Sequence, residues 1–163
     1  MSLVKETVIR RSRFGDLIIE NAQLIFRRNF EGRKEQYNEK GDRIFQVIIP
    51  DAQIAQELAE EGWNVKLWVS KDPDEAPVHY LKVFVRFDRK PPEVNMVTGN
   101  RKVKLNEETV GNLDYADIMS IDLTINPSRW ESYNGSGIKA YLKEGWFVIE
   151  ESPFEDKYAD IPW

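Results

Sequence analysis

The sequence predicts a mainly β domain, a five-stranded and partly open barrel with one short helix and extended hairpins. Three observations carry that prediction. Apolar and polar residues alternate at period two along several stretches, as in strands with one covered face. A helical stripe appears in one place. Gly, Asn and Pro punctuate the rest at hairpin spacing.

Taken in order, residues 1–15 are basic and weakly patterned, with Arg10, Arg11 and Arg13 close together, and predict a loosely ordered arm. Leu24 to Phe26 and Ile44 to Ile49 predict two strands. Between them lies a basic and aromatic loop broken at Gly32, Asn38 and Gly41. Asp51 is placed to cap a helix whose stripe is Ile54, Ala55, Leu58 and Ala59. Gly62 suits the left-handed position that ends it, which lets Trp63 pack back on Leu58.

Two strands follow. Val65, Leu67 and Val69 share one face, with Lys66 and Trp68 on the other. From Tyr80 to Asp88, Leu81, Val83, Val85 and Phe87 point to the core, and Tyr80, Lys82, Phe84 and Arg86 point away. Pro91-Pro92 excludes a central strand there. Val94 to Leu105 reads as a hairpin around Thr98-Gly99-Asn100, and Asn106 to Leu113 as a capped helical turn. In Met119 to Asn126, Ile121, Leu123 and Ile125 face inward. Trp130 to Gly137 reads as a turn-rich loop. Gly137 to Ile149 closes the pattern, with Lys139, Tyr141 and Lys143 on one face. Strands with a single interrupting helix fit an OB-fold, in which the loops joining strands 1–2 and 4–5 border the ligand face. Here those loops are residues 28–42 and 129–137.

The net charge of −5 is unevenly spread. Residues 150–163 hold five acids against Lys157, whereas residues 78–105 hold seven Lys and Arg against two acids. This division predicts a domain at 1–149 and an acidic, flexible tail at 150–163. With no cysteine, neither disulfides nor a thiolate zinc site are expected. The start lacks the apolar core of a signal peptide and no stretch is long enough to span a bilayer, so an intracellular protein without membrane association is expected.

Rings that alternate with cations along strands make a surface for stacked bases and phosphates. The platform predicted from this pattern is Trp68, Tyr80, Phe84 and Tyr141, with Phe30 and Tyr37 closing over it from the first loop. Lys66, Lys82, Arg86, Lys139 and Lys143 are the expected phosphate contacts on the strands, joined by Arg28, Arg33, Lys34 and Arg43 from that loop. The competing expectation is a second covered face, in which the rings are core and the domain serves protein interaction.

No catalytic motif emerges. His79 is the single histidine and no G-x-S-x-G element is present. Gly135-Ser136-Gly137 lacks what a dinucleotide loop requires, so no cofactor is expected. Asp114, Asp117 and Asp122 are the candidates for a metal-dependent nuclease, although residues so placed ordinarily cap turns and face water.

The chain ends in Asp160-Ile161-Pro162-Trp163 after an acidic run. This resembles the tip of bacterial single-stranded DNA-binding proteins, which close in D-I-P-Phe. The stretches NFEGRKEQYNEKGDRIFQVIIPD, ELAEEGWNVK and GSGIKAYLKEGWFVIEE resemble the single-stranded DNA-binding proteins of tailed phages. The resemblance implies an OB-fold protein, not an enzyme, that coats single-stranded DNA in replication, recombination and repair, in the host cytoplasm if of phage origin. It also implies that Asp160, Ile161, Pro162 and Trp163 dock on replication or recombination partners. The chain departs from the bacterial pattern in lacking a long Gly- and Gln-rich linker and in its longer body, which points to a monomer or dimer.

Overall fold

The structure, a computed structural model, describes residues 6–34, 41–88 and 90–150. Tyr37 and the tail residues Asp160, Ile161, Pro162 and Trp163 lie outside the described residues.

The chain opens differently from expectation. Val8–Arg11 (β1) and Leu17–Glu20 (β2) form an antiparallel hairpin instead of a loose arm. Ser12 builds its turn by accepting from the backbone N–H groups of Phe14 and Asp16 at 3.2 and 3.0 Å. The pattern is faint in the sequence because β1 is an edge strand with most of its side chains exposed, while Leu17 and Ile19 of β2 are fully buried. Arg11 also donates to Glu61, tying the hairpin to the helix. That pairing lowers the Glu61 pKa and raises that of Arg11.

Leu24–Asn29 (β3) and Arg43–Ile49 (β4) pair antiparallel. Ala52–Glu61 (α1) follows, capped as its sequence requires. The Asp51 carboxylate accepts from the N–H groups of Gln53 and Ile54, and Gly62 takes φ +110°. Val65–Trp68 (β5) and Val78–Val85 (β6) are antiparallel partners. Glu93–Thr98 (β7) and Arg101–Leu105 (β8) form the expected hairpin. A short 3-10 turn at Val110–Asp114 leads to the two long strands, Ile118–Ser132 (β9) and Gly135–Ile149 (β10). The expected loop at 130–137 is thus the tip of a continuous hairpin, closed by Tyr133-Asn134, and not an irregular segment. Gly135 and Gly137 resemble loop glycines in sequence, but Gly137 leaves room for the Trp130 ring, which would lie 3.0 Å from an added Cβ.

The strands join in one open sheet, in the order β1-β2-β9-β10-β6-β4-β3, with β5 added on β6 and β7–β8 added on β10. The mainly β, partly open architecture with one helix is as the sequence predicts. The described residues form ten strands where five were expected, because short pieces pair beside the long ones. The inner face carries Phe45, Val47, Val83, Leu123, Ile125 and Phe147, all nearly or fully buried. Leu58 of α1 and Trp63, just beyond its Gly62 cap, cover it. Burying such side chains contributes about 1.5–3 kcal/mol each before entropy is charged. Among the described residues no helix is long and apolar enough to cross a membrane.

One feature of the sheet positions everything that follows. β10 runs parallel to β6 at Ala140 and Tyr141, then parallel to β7 from Glu144 to Val148. The register with β9 slips between Leu142 and Glu144, so Lys143 is the extra residue of a bulge. β6 has left the sheet there, and Pro91-Pro92, unable to pair, carries the chain across.

Candidate nucleic-acid interface

Register decides which side chains share the outer face. Residues directly opposite one another in a ladder point to the same side. Phe84 pairs with Tyr141, Tyr80 with Lys66, and Val78 with Trp68. On the far edge of β10, Asn126 pairs with Tyr141, Ser128 with Lys139, and Trp130 with Gly137. The alternating residues of β6 and β10, Leu81, Val83, Ile138, Ala140 and Leu142, are buried on the other side. The predicted rings Trp68, Tyr80, Phe84 and Tyr141 are therefore brought together, half-buried, on one face.

They form two groups with lysines between them. Phe84 and Tyr141 lie 6.0 Å apart at 44°. The Lys139 and Lys82 ammonium groups sit 4.4 and 5.3 Å from the Phe84 centroid. Burial lowers the Lys82 pKa, and repulsion from Lys66 and Lys139 adds to it, while Asp42 opposes. Among the described residues three cations crowd here against Asp42, an arrangement that an anion would relieve.

The second group contains a residue that sequence reasoning missed. Phe26 ends an apolar run predicted as a strand, yet it is 47% exposed and makes edge contacts to Tyr80 and Trp68 at 5.2 and 6.3 Å. It sits in the irregular pairing of β3 with β4, at φ +62°, a left-handed conformation that a bulky residue adopts at a cost. A bulge is what re-aims the ring to the outer face. Nothing in the run Leu24-Ile25-Phe26 announces it. Trp130, 48% exposed, is a second addition. Its spacing from Asn126 and Ser128 was a readable signal, hidden by the expectation of a loop.

Where β10 exchanges β6 for β7, the face opens into a cleft of about 520 Å³. Asn126, Ser128, Tyr141 and Lys143 line it together with Arg86, Lys90 and Pro91. Arg86 donates to Asp88 at 3.1 and 2.7 Å, and Asp88 and the Tyr141 hydroxyl raise its pKa. Lys143 donates to the buried Asp16 at 3.0 Å. From Tyr80 to Arg86 the strand covers about 20 Å at the ordinary rise.

Four predicted residues belong to the scaffold. Phe30, expected to close over the platform, has no exposed surface and cannot meet a base. It stacks on Phe45 at 5.3 Å and meets Phe147 edge-on at 5.5 Å. The reason lies in its backbone: the Asp114 carboxylate accepts from the N–H groups of Phe30 and Glu31 at 2.7 and 2.9 Å and folds the loop inward. Asn29, also buried, accepts from the N–H groups of Gly32 and Arg33. Arg28 donates to the carbonyls of Leu113 and Ala116, both at 2.7 Å. Arg33 lies 3.7 Å from the carboxylates of Glu31 and Asp114, and Arg43 donates to the Glu107 carbonyl and covers the Phe87 ring. Lys34 is exposed at the edge of the described loop.

Two of the three aspartates considered for metal chemistry, Asp114 and Asp122, have other employment. Asp114 holds the loop, and Asp122 accepts from the Asn21 N–H at 3.0 Å. Among the described residues no group of His, Cys, Asp and Glu is gathered as metal ligands.

Comparison with known proteins follows the same line. A family model described as a putative phage ssDNA-binding domain matches residues 6–163. The single-stranded DNA-binding protein of bacteriophage Enc34, solved in complex with ssDNA, superposes with a TM-score of 0.54 at 13% identity, over 87% of this chain and 90% of that one. Its C-terminally truncated form gives 0.55 at 13% identity, over 94% and 100%. At such identities the likeness is one of fold. No curated protein matches.

Proposed function

Because the chain belongs to the family of phage ssDNA-binding domains, we propose that it coats single-stranded DNA without strong sequence preference, acting by binding and not by catalysis. The observation that carries this reading is the outer face, where Lys66, Lys82 and Lys139 lie between the ring groups Phe26, Trp68, Tyr80 and Phe84, Tyr141. Bases of any identity offer a face to such rings, and the phosphates between them take the lysines. Phe30, Arg28, Arg33 and Arg43 are not part of this surface.

The acidic segment 150–163 serves in this reading as a recruiting tail for replication or recombination proteins, with Trp163 and its neighbouring carboxylates as the recognised feature. Its composition supports this: Pro162 favours an extended chain, Trp163 supplies apolar area, and carboxylates pair with basic pockets.

The test is titration with oligo-dT followed by tryptophan fluorescence, with and without magnesium. Saturable, salt-sensitive quenching with intact oligonucleotide is the expected result. No saturable change, or magnesium-dependent cleavage, overturns the reading.

A further inference from the structure

The cleft beside Tyr141 differs in kind from the ring platform, because it offers an amide held in one orientation. Asp16 is 3% exposed. As a carboxylate it only accepts, and it does so from Asn126 Nδ2 and Lys143 Nζ, both at 3.0 Å. The Asn126 amide is therefore oriented, with its NH₂ toward Asp16 and its carbonyl oxygen turned the other way. That oxygen and the Ser128 hydroxyl have no hydrogen-bond partner among the described residues, and both residues line the cleft. Tyr141, directly opposite Asn126 in the ladder, adds a ring, and Pro91 and Leu142 add apolar wall. Arg86 and Lys90, also in the lining, supply cations for the flanking phosphates.

We propose that this cleft withdraws one base of the bound strand from the stacked row and reads its edge, favouring bases with an exocyclic amine over thymine. The inference rests on the single-strand binding proposed above and deepens it. The Asn126 carbonyl accepts from the amine; thymine presents a carbonyl at that position and meets like with like. The volume suits a single base with part of its sugar, within the range of pockets that enclose small ligands. A pocket of this kind gives a mild bias, not a recognition sequence, since the remaining bases sit on rings that accept any of the four.

The experiment compares oligo-dC with oligo-dT of equal length, for the full chain and for Asn126→Ala, at mildly alkaline pH where cytosine is neutral and unpaired. One oriented hydrogen bond corresponds to a preference for dC of about fivefold. In Asn126→Ala that ratio is expected to fall to one, with the thermal unfolding midpoint measured alongside to confirm the fold. Ser128→Ala, which leaves the Asn126–Asp16 pair in place, is expected to keep the preference. Equal affinities for dC and dT in the unaltered protein, or a preference that survives Asn126→Ala, overturn the inference while leaving single-strand binding standing. Failure to bind either oligonucleotide removes the underlying reading itself.

Discussion

The ammonium of Lys139 lies 4.4 Å from the centre of the Phe84 ring and so covers surface that a base would use. Stacking on Phe84 requires that lysine to swing aside, where a phosphate can receive it. Lys139→Ala is therefore expected to act in two directions. It removes one phosphate contact, reducing the slope of log K against log salt by about 0.7, and it uncovers the ring. The salt lines of the two proteins should cross, with the variant weaker at low salt and equal or tighter at high salt. Parallel lines would mean that Lys139 touches no phosphate.

Phe30 and Tyr80 make a contrasting pair. Tyr80→Ala is expected to cost about 1–3 kcal/mol of single-strand affinity with the fold intact. Phe30→Ala empties the core between Phe45 and Phe147 and is expected to cost about 3–5 kcal/mol of stability. Urea melts beside oligonucleotide titrations separate the two; a Tyr80→Ala protein that unfolds would place that ring in the core.

Phe26 offers a sharper test, since its backbone and its ring pull against each other. Phe26→Gly relieves strain of about 1–3 kcal/mol and gives up edge contacts of about 0.5–1.5 kcal/mol, so stability should hold. Phe26→Ala loses the ring and keeps the strain, and should melt lower than Phe26→Gly. Both should bind single strands more weakly. Equal melting of the two would show that the left-handed conformation carries little cost.

Lys82 gives a pH signature. Its pKa is lowered, chiefly by burial and then by Lys66 and Lys139, and a bound phosphate moves it back toward the ordinary value. Binding then takes up protons in the alkaline range, and affinity falls as pH rises through it. The unfolded chain holds the same proton more tightly than the folded one, so folding stability rises with pH over that window. Titrations with oligo-dC, whose bases do not deprotonate there, should show the fall, and Lys82→Arg should flatten it.

For the tail, deletion of residues 152–163 is expected to tighten single-strand binding at low salt, because its acids would compete with phosphates for the same lysines where screening is least. It should also abolish partner binding, and Trp163→Ala should nearly do so with DNA affinity unchanged. Equal DNA affinities of full and truncated chains at both low and moderate salt would confine the tail to recruitment.

The strands with a clean period of two were legible, and with them the face that carries Tyr80, Lys82, Phe84 and Tyr141. There, local pattern and tertiary burial agree. Elsewhere tertiary contacts overrode local chemistry. Phe30 stands in a charged loop and reads as exposed, yet Asp114, 84 residues away, turns it inward. Phe26 stands in an apolar run and reads as buried, yet a bulge turns it out. Arg28 and Arg43 read as phosphate ligands because their backbone acceptors, at Leu113, Ala116 and Glu107, are remote in the chain. Cleft residues such as Asn126 gain meaning from the partner exchange of β10, which no window of sequence displays.

That exchange also bears on synthesis. β10 contacts β9, β6 and β7 and is the last of the described elements to leave the ribosome. Until it arrives, Phe84 has no Tyr141 beside it, Lys82 has no Lys139, and β6 presents a bare edge where β10 will lie. A nascent chain therefore holds the Phe26, Trp68 and Tyr80 group before β10 is made, but lacks the Phe84–Tyr141 pair and the cleft beside it. The proposed interface is thus completed only with the closing strand, as a late event of folding.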